Sequence, residues 1–185
     1  MPLSAEDDKL DQVFKDLPIG RDRDQFLREL LRELAKSLED VVGMEQASGF
    51  ISIVGHRLGS VMDQEYREQF SSDKLDLPHV VHALVDLKRR INGGFSIESF
   101  DANKIVLINN KCPFGRFVDG RQSLCMMTSN VFGRITSANL GYARVNLEKT
   151  IALGDKGCRV VIYLSPQIQN DDTTMSEGAR EYFGD

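Results

Sequence analysis

The sequence lacks any long hydrophobic run: no stretch approaches the roughly 18 uninterrupted apolar residues that mark a transmembrane helix. The start of the chain also lacks the basic segment and apolar stretch of a secretory signal, and it is acidic instead. We therefore expect a cytoplasmic protein that does not enter a membrane.

The short motifs of common enzyme classes are also missing. The sequence contains no G-x-S-x-G elbow, H-E-x-x-H zinc motif, P-loop or G-x-G-x-x-G dinucleotide motif. The sequence therefore gives no evidence for a hydrolase, a metalloprotease or a nucleotide-dependent function. We expect a protein that is not an enzyme.

Clustered basic charge is scarce. The chain has 23 Lys and Arg against 28 Asp and Glu, which gives a net charge of -5. Its basic run Lys88-Arg89-Arg90 is too short for a nucleic-acid patch and is typical of a helix C-terminus, where cations complement the dipole. We expect no direct contact with nucleic acid or an anionic membrane, so any DNA contact would need a partner.

The length of 185 residues fits one ordinary domain. Residues 1–20 are acidic, contain two prolines and show no sustained apolar period, which predicts a mobile N-terminal arm. Residues 21–165 form the predicted domain. Residues 166–185 are a polar and loose tail in this interpretation, although the terminal GAREYF segment is able to dock.

Apolar residues at helical spacing predict three amphipathic helices, at residues 22–43, 44–70 and 78–91. The second helix carries Gly55 and Gly59 four positions apart on one face. Glycine is unfavourable in a helix interior, so we expect this face to accept another helix at close approach, from a second subunit. This pattern motivates a homodimer hypothesis.

After Gly94 the apolar period changes from helical to alternating, which is typical of strands. Residues 94–110 and 141–165 each read as a β-hairpin, and residues 123–139 between them read as a helix. The expected fold is α+β, with N-terminal amphipathic helices packed on a four-stranded antiparallel sheet made of two hairpins.

The sequence has three cysteines, an odd count that disfavours a disulfide framework. The spacing of Cys112, Cys125 and Cys158 matches no zinc finger, thioredoxin or ferredoxin pattern. Cys125 falls in the first turn of a predicted helix, which lowers a thiol pKa, and the turn after a strand can bring Cys112 beside it. The alternative is that all three are small buried apolar residues.

The three histidines have open roles. His56 lies in an apolar helix, where it could supply a fourth metal ligand, line a pocket or simply pack. His79 and His82 share one helix face and could ligate a metal, but the polar residues around them favour a solvated helix start.

Three motifs, C-P-F-G at Cys112, S-L-C-M-M-T-S-N-V-F-G around Cys125 and G-D-K-G-C-R-V-V-I-Y-L around Cys158, resemble the methanogen output domain family. That family is similar to vinyl-reductase-type domains that bind small molecules. The resemblance extends over roughly residues 22–165. It implies an α+β fold, often dimeric, that senses a ligand or redox state in prokaryotic signalling and transcriptional regulators.

The cysteine positions are also similar to those of a family of iron-sulfur-binding repressors. That similarity implies zinc or an iron-sulfur cluster at Cys112, Cys125 and Cys158, with His56 as a possible fourth ligand. The chain lacks the further cysteine that this pattern expects near Asn139 and has no preceding helix-turn-helix.

Three functions follow from the sequence. The first is a regulatory sensor that responds to metal, an iron-sulfur cluster or thiol oxidation and acts on a downstream signalling or transcription protein. The second is a non-catalytic module that binds a small apolar or tetrapyrrole-like ligand between sheet and helices, with structural cysteines. The third is an enzyme of the vinyl reductase kind, which the absence of a cofactor motif disfavours.

Overall fold

The computed structural model describes residues 5–166 and 179–184 and contains, in those ranges, five α-helices and five β-strands. The helices are α1 (Ala5–Lys15), α2 (Arg23–Val42), α3 (Met44–Phe70), α4 (Leu77–Arg90) and α5 (Gln122–Leu140). The strands are β1 (Phe95–Phe100), β2 (Lys104–Asn109), β3 (Tyr142–Lys149), β4 (Cys158–Tyr163) and β5 (Arg180–Phe183). The α+β class predicted from the sequence is confirmed, as are the helices at α2 to α5 and both hairpins.

The sheet is antiparallel throughout, with strand order β1-β2-β4-β3-β5. The two predicted hairpins join through β2 and β4, where Asn109 pairs with Cys158. The prediction of four strands is wrong by one, because β5 from the C-terminal tail pairs with β3 from Tyr142↔Phe183 to Val145↔Arg180. The expectation of a loose tail is therefore corrected at residues 180–183, and the rest of the tail, 167–178 and 185, lies outside the described residues.

Helix α5 forms the centre of the molecule between the sheet and α3. On the sheet side, Phe132 and Ile135 are fully buried against strand residues such as Val145 and Ile162. Leu84 of α4 completes this core, which explains why α4 packs beside α5 and β1. Apolar side chains on both sides of α5 are removed from water, and that burial is the main favourable term for this layered arrangement.

Gly55 and Gly59 allow α3 to approach α5. A Cβ atom at Gly55 would stand 2.8 Å from Asn130 Cβ, and one at Gly59 would stand 3.0 Å from Arg134 Cβ. The prediction of a close helix contact is correct, but the partner is α5 of the same chain and not a second subunit. The glycine pair therefore no longer motivates a dimer.

The helix ends follow local capping rules. The Asp22 carboxylate accepts a hydrogen bond from the Gln25 amide at 2.7 Å, and the Asp76 carboxylate accepts one from the His79 amide at 3.0 Å. Helix α2 ends at Gly43, whose φ of 82° favours glycine. These caps place the boundaries of α2 and α4 within one residue of the predicted ones.

The N-terminal arm predicted at 1–20 contains helix α1, whose apolar side chains, among them Leu10 and Phe14, are exposed. The domain boundaries themselves stay predictions. None of the helices in residues 5–166 is long and apolar enough to cross a membrane.

Candidate ligand pocket

The three cysteines lie around one pocket at the end of the sheet. Cys125 and Thr128 of α5 form one wall, and strand residues such as Val160 form the opposite one. The segment Cys112–Val118, which we call the cover segment, closes the pocket with Cys112, Phe114 and Val118. The structure thus brings together residues that are far apart in the sequence.

Backbone geometry fixes each cysteine. Cys158 opens β4 opposite Asn109, and its Sγ accepts long hydrogen bonds from Asn109 Nδ2 at 3.8 Å and from the Ile151 amide at 3.5 Å. Cys112 starts a tight turn in which its carbonyl accepts a hydrogen bond from the Gly115 amide at 2.9 Å, with Gly115 at a φ of 57°. Cys125 lies in the first turn of α5, as predicted.

The cavity is small and apolar. Its volume is about 30 Å³, close to the share of liquid volume that one water molecule takes. Phe95, Leu124 and Leu147 line the cavity together with the three cysteines. A larger ligand must therefore enlarge the cavity by moving part of its wall.

Burial controls the chemistry of the thiols. It raises the pKa of Cys125 to about 12 and also raises the pKa of Cys112. The expectation that the start of α5 would favour a thiolate at Cys125 is therefore wrong, because loss of solvation outweighs the helix dipole. At neutral pH these two thiols are protonated and uncharged.

Lys88 is buried beside this pocket. Its side chain is 4% exposed, and its ammonium donates a hydrogen bond to Thr128 Oγ1 at 2.9 Å. The same ammonium lies over the rings of Phe132 and Phe95, 5.1 and 5.7 Å from their centroids. Lys88 was expected, with Arg89 and Arg90, to carry charge at a helix C-terminus, and it does lie in the last turn of α4. Arg89 pairs with Asp86 at the surface, however, whereas Lys88 turns inward.

Loss of solvation lowers the pKa of Lys88 to about 8, and the charges of nearby thiolates would oppose that shift. Cys112, Cys125 and Cys158 are the groups that act on it in this way. A lysine with this pKa still carries its charge on most molecules at pH 7.

The other predicted ligands lie elsewhere. His56 is exposed on α3 and does not line the pocket. His79 is also exposed, with Nδ1 2.6 Å from an Asp76 carboxylate oxygen, and His82 borders a separate surface groove. In residues 5–166 and 179–184, no group of three or more His, Cys, Asp or Glu side chains is arranged to hold a metal ion. This arrangement gives the prediction of a zinc or iron-sulfur site no support.

Helix α2 is hydrogen-bonded to the cover segment and its continuation. Arg32 donates to the carbonyl oxygens of Phe117 at 2.7 Å and Asp119 at 2.9 Å. Two turns further along α2, Glu39 pairs with Arg121 at 3.2 Å, just before α5. A displacement of the cover segment would therefore be transmitted to α2.

A family model described as methanogen output domain 1 matches residues 30–163, which is most of the chain. The chain belongs to this family. The predicted resemblance is thereby confirmed, and the matched region of this methanogen output domain contains all three cysteines and Lys88. The relation to vinyl-reductase-type domains stays a prediction.

Two solved structures share the fold of this methanogen output domain. One is the phenol-responsive sensory domain of the transcription activator PoxR with phenol, at 19% identity and a TM-score of 0.60, covering 74% of this chain and 73% of that one. The other is trafficking protein particle complex subunit 3 from Naegleria fowleri covalently bound to palmitic acid, at 13% identity and a TM-score of 0.53, covering 76% and 96%. At these identities the likeness shows the fold alone. No curated protein sequence matches the chain.

Sequence reasoning missed Arg32, Thr150 and Lys88 in this methanogen output domain. Lys88 had a detectable signal, because it continues the buried apolar face formed by Val81 and Leu84 at helical spacing. A lysine on the apolar face of a helix is unusual and indicates a buried charge. Arg32 had no such signal, since it acts through hydrogen bonds to Phe117 and Asp119, which are distant in sequence. Thr150 had none either, because only the folded chain places it in the lining of the pocket.

Proposed function

We propose that this chain is a non-catalytic sensory domain that binds a small apolar molecule in the pocket beneath the cover segment. The observation that carries this function is the small, partly open apolar cavity whose cover segment is hydrogen-bonded to α2 through Arg32. A catalytic site needs reactive groups, whereas the lining here is mainly apolar side chains, with the protonated thiols of Cys112 and Cys125 and the neutral hydroxyls of Thr128 and Thr150. Such an environment suits binding rather than chemistry.

The structural relatives support a sensory role. The PoxR domain of similar fold is described as phenol-responsive, and the trafficking subunit is covalently bound to palmitic acid. Both descriptions combine this fold with a largely apolar small molecule. We carry over to this chain only the class of ligand, and we treat the cysteines as pocket walls, which is the second of the functions that the sequence left open.

The signal would begin with the size of the cavity. Because about 30 Å³ cannot hold an organic molecule, binding has to displace the cover segment or the start of α5. Arg32 connects the cover segment to α2, and Glu39 connects the start of α5 to α2. Ligand binding would then shift the position of α2, and α2 would report the change to a downstream signalling or transcription protein.

We also propose that a second copy of the chain covers the outer face of α2 and α3. This face exposes large apolar side chains, and we call it the α2–α3 face: Phe26, Leu27, Leu30, Leu31 and Leu34 of α2, with Phe50, Ile53, Val54, Leu58 and Val61 of α3. Exposed apolar surface of this extent is typical of an interface. Charges of both signs flank it on α2, so the face can complement itself across a two-fold axis, as a homodimer requires.

The ligand-binding function can be tested with phenol, benzyl alcohol and benzoate as probes, followed by amide chemical shifts in NMR spectra. We expect at least one probe to shift residues of the cover segment and of α2 together. Cys125→Leu, which fills the cavity, should abolish those shifts, whereas Cys125→Ser, of nearly unchanged volume, should retain them. The proposed function would be contradicted if none of the three probes shifted any amide signal, or if the shifted amides all lay on other surfaces.

A further inference from the structure

Lys88 is a buried charge that the described residues leave without a counter-ion. Its side chain is 4% exposed, and among the described residues its ammonium donates a hydrogen bond to the neutral Thr128 hydroxyl. None of the carboxylates in residues 5–166 and 179–184 forms an ion pair with it or acts on its charge. An ammonium has three donors, so the protein uses only part of its capacity.

The thiols of Cys112 and Cys125 do not neutralise this charge. Burial raises the pKa values of Cys112 and Cys125, so both stay protonated while Lys88 is charged. The aromatic rings of Phe95 and Phe132 offset part of the cost of burial through their negative faces. A buried ammonium in an apolar site still remains unfavourable without an anion.

A second polar group at the pocket is unused. Thr150 lines the cavity and is 5% exposed, and its hydroxyl has no hydrogen-bond partner among the described residues. Buried hydroxyls in proteins are nearly always hydrogen-bonded. The orphaned Thr150 hydroxyl therefore lines the small apolar cavity, and the uncompensated Lys88 ammonium contacts two other lining residues, Thr128 and Phe95. Both groups can donate to an oxygen atom.

We propose that the pocket binds an apolar acid, a molecule with a small hydrocarbon body and one carboxylate, whose carboxylate is held by Lys88 and Thr150. This inference depends on the ligand-binding function proposed above and specifies its ligand class. The hydrocarbon body would occupy the space between the apolar residues of the sheet and Phe114 and Val118 of the cover segment. The carboxylate would accept hydrogen bonds from the Lys88 ammonium, beside Thr128, and from the Thr150 hydroxyl.

A neutral ligand would satisfy the site less well. It would leave the Lys88 charge buried and unpaired, as it is in the free protein, whereas a carboxylate forms a charge-assisted hydrogen bond. Such bonds contribute roughly tenfold to hundredfold in affinity over a neutral contact. The same reasoning predicts discrimination between ligands that are alike in shape but differ in charge.

Benzoate and benzyl alcohol test this discrimination, since they have the same ring and similar size. We expect calorimetry at pH 7 to give benzoate at least about tenfold tighter binding than benzyl alcohol. Lys88→Met should remove this preference by weakening benzoate binding at least about tenfold. Arg89→Met is the matched control, because Arg89 is the next residue of α4 but lies at the surface, and it should keep the preference.

The unsubstituted protein provides a second readout that does not depend on how variants fold. Benzoate affinity should fall about tenfold between pH 7 and 9, as Lys88 with its pKa of about 8 loses its proton. The titratable groups that face Lys88 are Cys112, Cys125 and Cys158. Of these, Cys125 has a pKa raised to about 12 and stays protonated across this range, and burial also raises the pKa of Cys112.

The possible outcomes separate the two proposals. If benzyl alcohol binds in the pocket as tightly as benzoate, or if the benzoate preference survives Lys88→Met, the acid-binding inference is wrong and the ligand-binding function stands. If neither probe shifts the pocket residues, both are wrong. A benzoate preference that is lost in Lys88→Met and retained in Arg89→Met supports both.

Discussion

The ring of Tyr182 in β5 lies against the backbone of Gly133 in α5, so closely that any side chain at position 133 would overlap it. The Tyr182 hydroxyl also lies 3.0 Å from Ser129 Oγ, one turn earlier on the same helix. These contacts attach the last strand of the sheet to the central helix. Gly133 is thus required by space rather than by backbone conformation.

Gly133→Ala should therefore destabilise the protein. The added methyl group must displace Tyr182 and with it β5, and overpacking of this kind costs roughly 1–3 kcal/mol. Urea unfolding would measure the loss. In a Tyr182→Ala background the same substitution should cost much less, because the overlap is gone, and equal costs in both backgrounds would contradict this explanation.

Arg32→Met should uncouple the pocket from α2. The substitution removes the two hydrogen bonds to Phe117 and Asp119 while keeping an apolar side chain of similar length. We expect hydrogen exchange in the cover segment to accelerate and stability to fall by about 1–2 kcal/mol. Probe-induced shifts should persist in the pocket and disappear from α2.

Lys36→Met is the control for that experiment, because Lys36 lies one turn later on α2 and pairs with Asp40 of the same helix. It should leave probe-induced shifts in α2 unchanged. Loss of the shifts in both variants would indicate that α2 itself is disturbed, and that the hydrogen bonds of Arg32 have no special role in transmission.

Lys88 should make stability rise with pH in a narrow range. Its pKa is about 8 in the folded protein and 10.5 when unfolded, so between these values the unfolded chain binds more protons. The penalty for burying the charge is full below pH 8 and declines above it, which contributes about 1 kcal/mol of added stability from pH 8 to 9. Cys125 lowers the stability as the pH rises above 9, because its pKa is raised from 9.0 to about 12 and the folded chain then binds more protons than the unfolded one.

The difference in unfolding free energy between the wild type and Lys88→Met isolates this contribution, since the other groups cancel. Lys88→Met should be more stable than the wild type at pH 7, because it replaces a buried charge by an apolar side chain. The difference should shrink by about 1 kcal/mol from pH 8 to 9. A difference that is constant with pH would show that Lys88 is not buried as a charged group.

Local patterns in the sequence predicted most of the fold, because each main element has its own apolar period and its own caps. Strand β5 was not predicted as a strand since four residues are too few to display an alternation, and its pairing with β3 is set by distant contacts. The close approach at Gly55 and Gly59 was predicted correctly, but no local pattern states which helix approaches. Only the folded chain shows that it is α5.

The site was predicted less completely. The placement of Cys112, Cys125 and Cys158 after strand and helix boundaries indicated that they could converge, and they do border one pocket. Their chemistry was misjudged because a helix N-terminus can be read from sequence, whereas the loss of solvation that raises the pKa of Cys125 depends on the whole fold. Lys88 was grouped with its basic neighbours, although its position on the apolar face of α4 is visible in the sequence.

Leu34→Glu should dissociate the proposed homodimer without unfolding the chain. Leu34 lies on the α2–α3 face and is 57% exposed, so a carboxylate there remains hydrated in the monomer but would be buried in the dimer. Two-fold symmetry places two such charges in one interface, which should weaken association by more than about a hundredfold. Sedimentation velocity across a concentration series would detect the change.

Ile91→Glu is the matched control, because Ile91 is 44% exposed at the end of α4, outside the α2–α3 face. It should leave association unchanged. A wild-type chain that stays monomeric at all accessible concentrations would exclude the second copy as the occupant of the face. Since an exposed apolar surface of this kind is rarely left uncovered, α2 and α3 would then contact the downstream protein directly, and Leu34→Glu should abolish that contact instead.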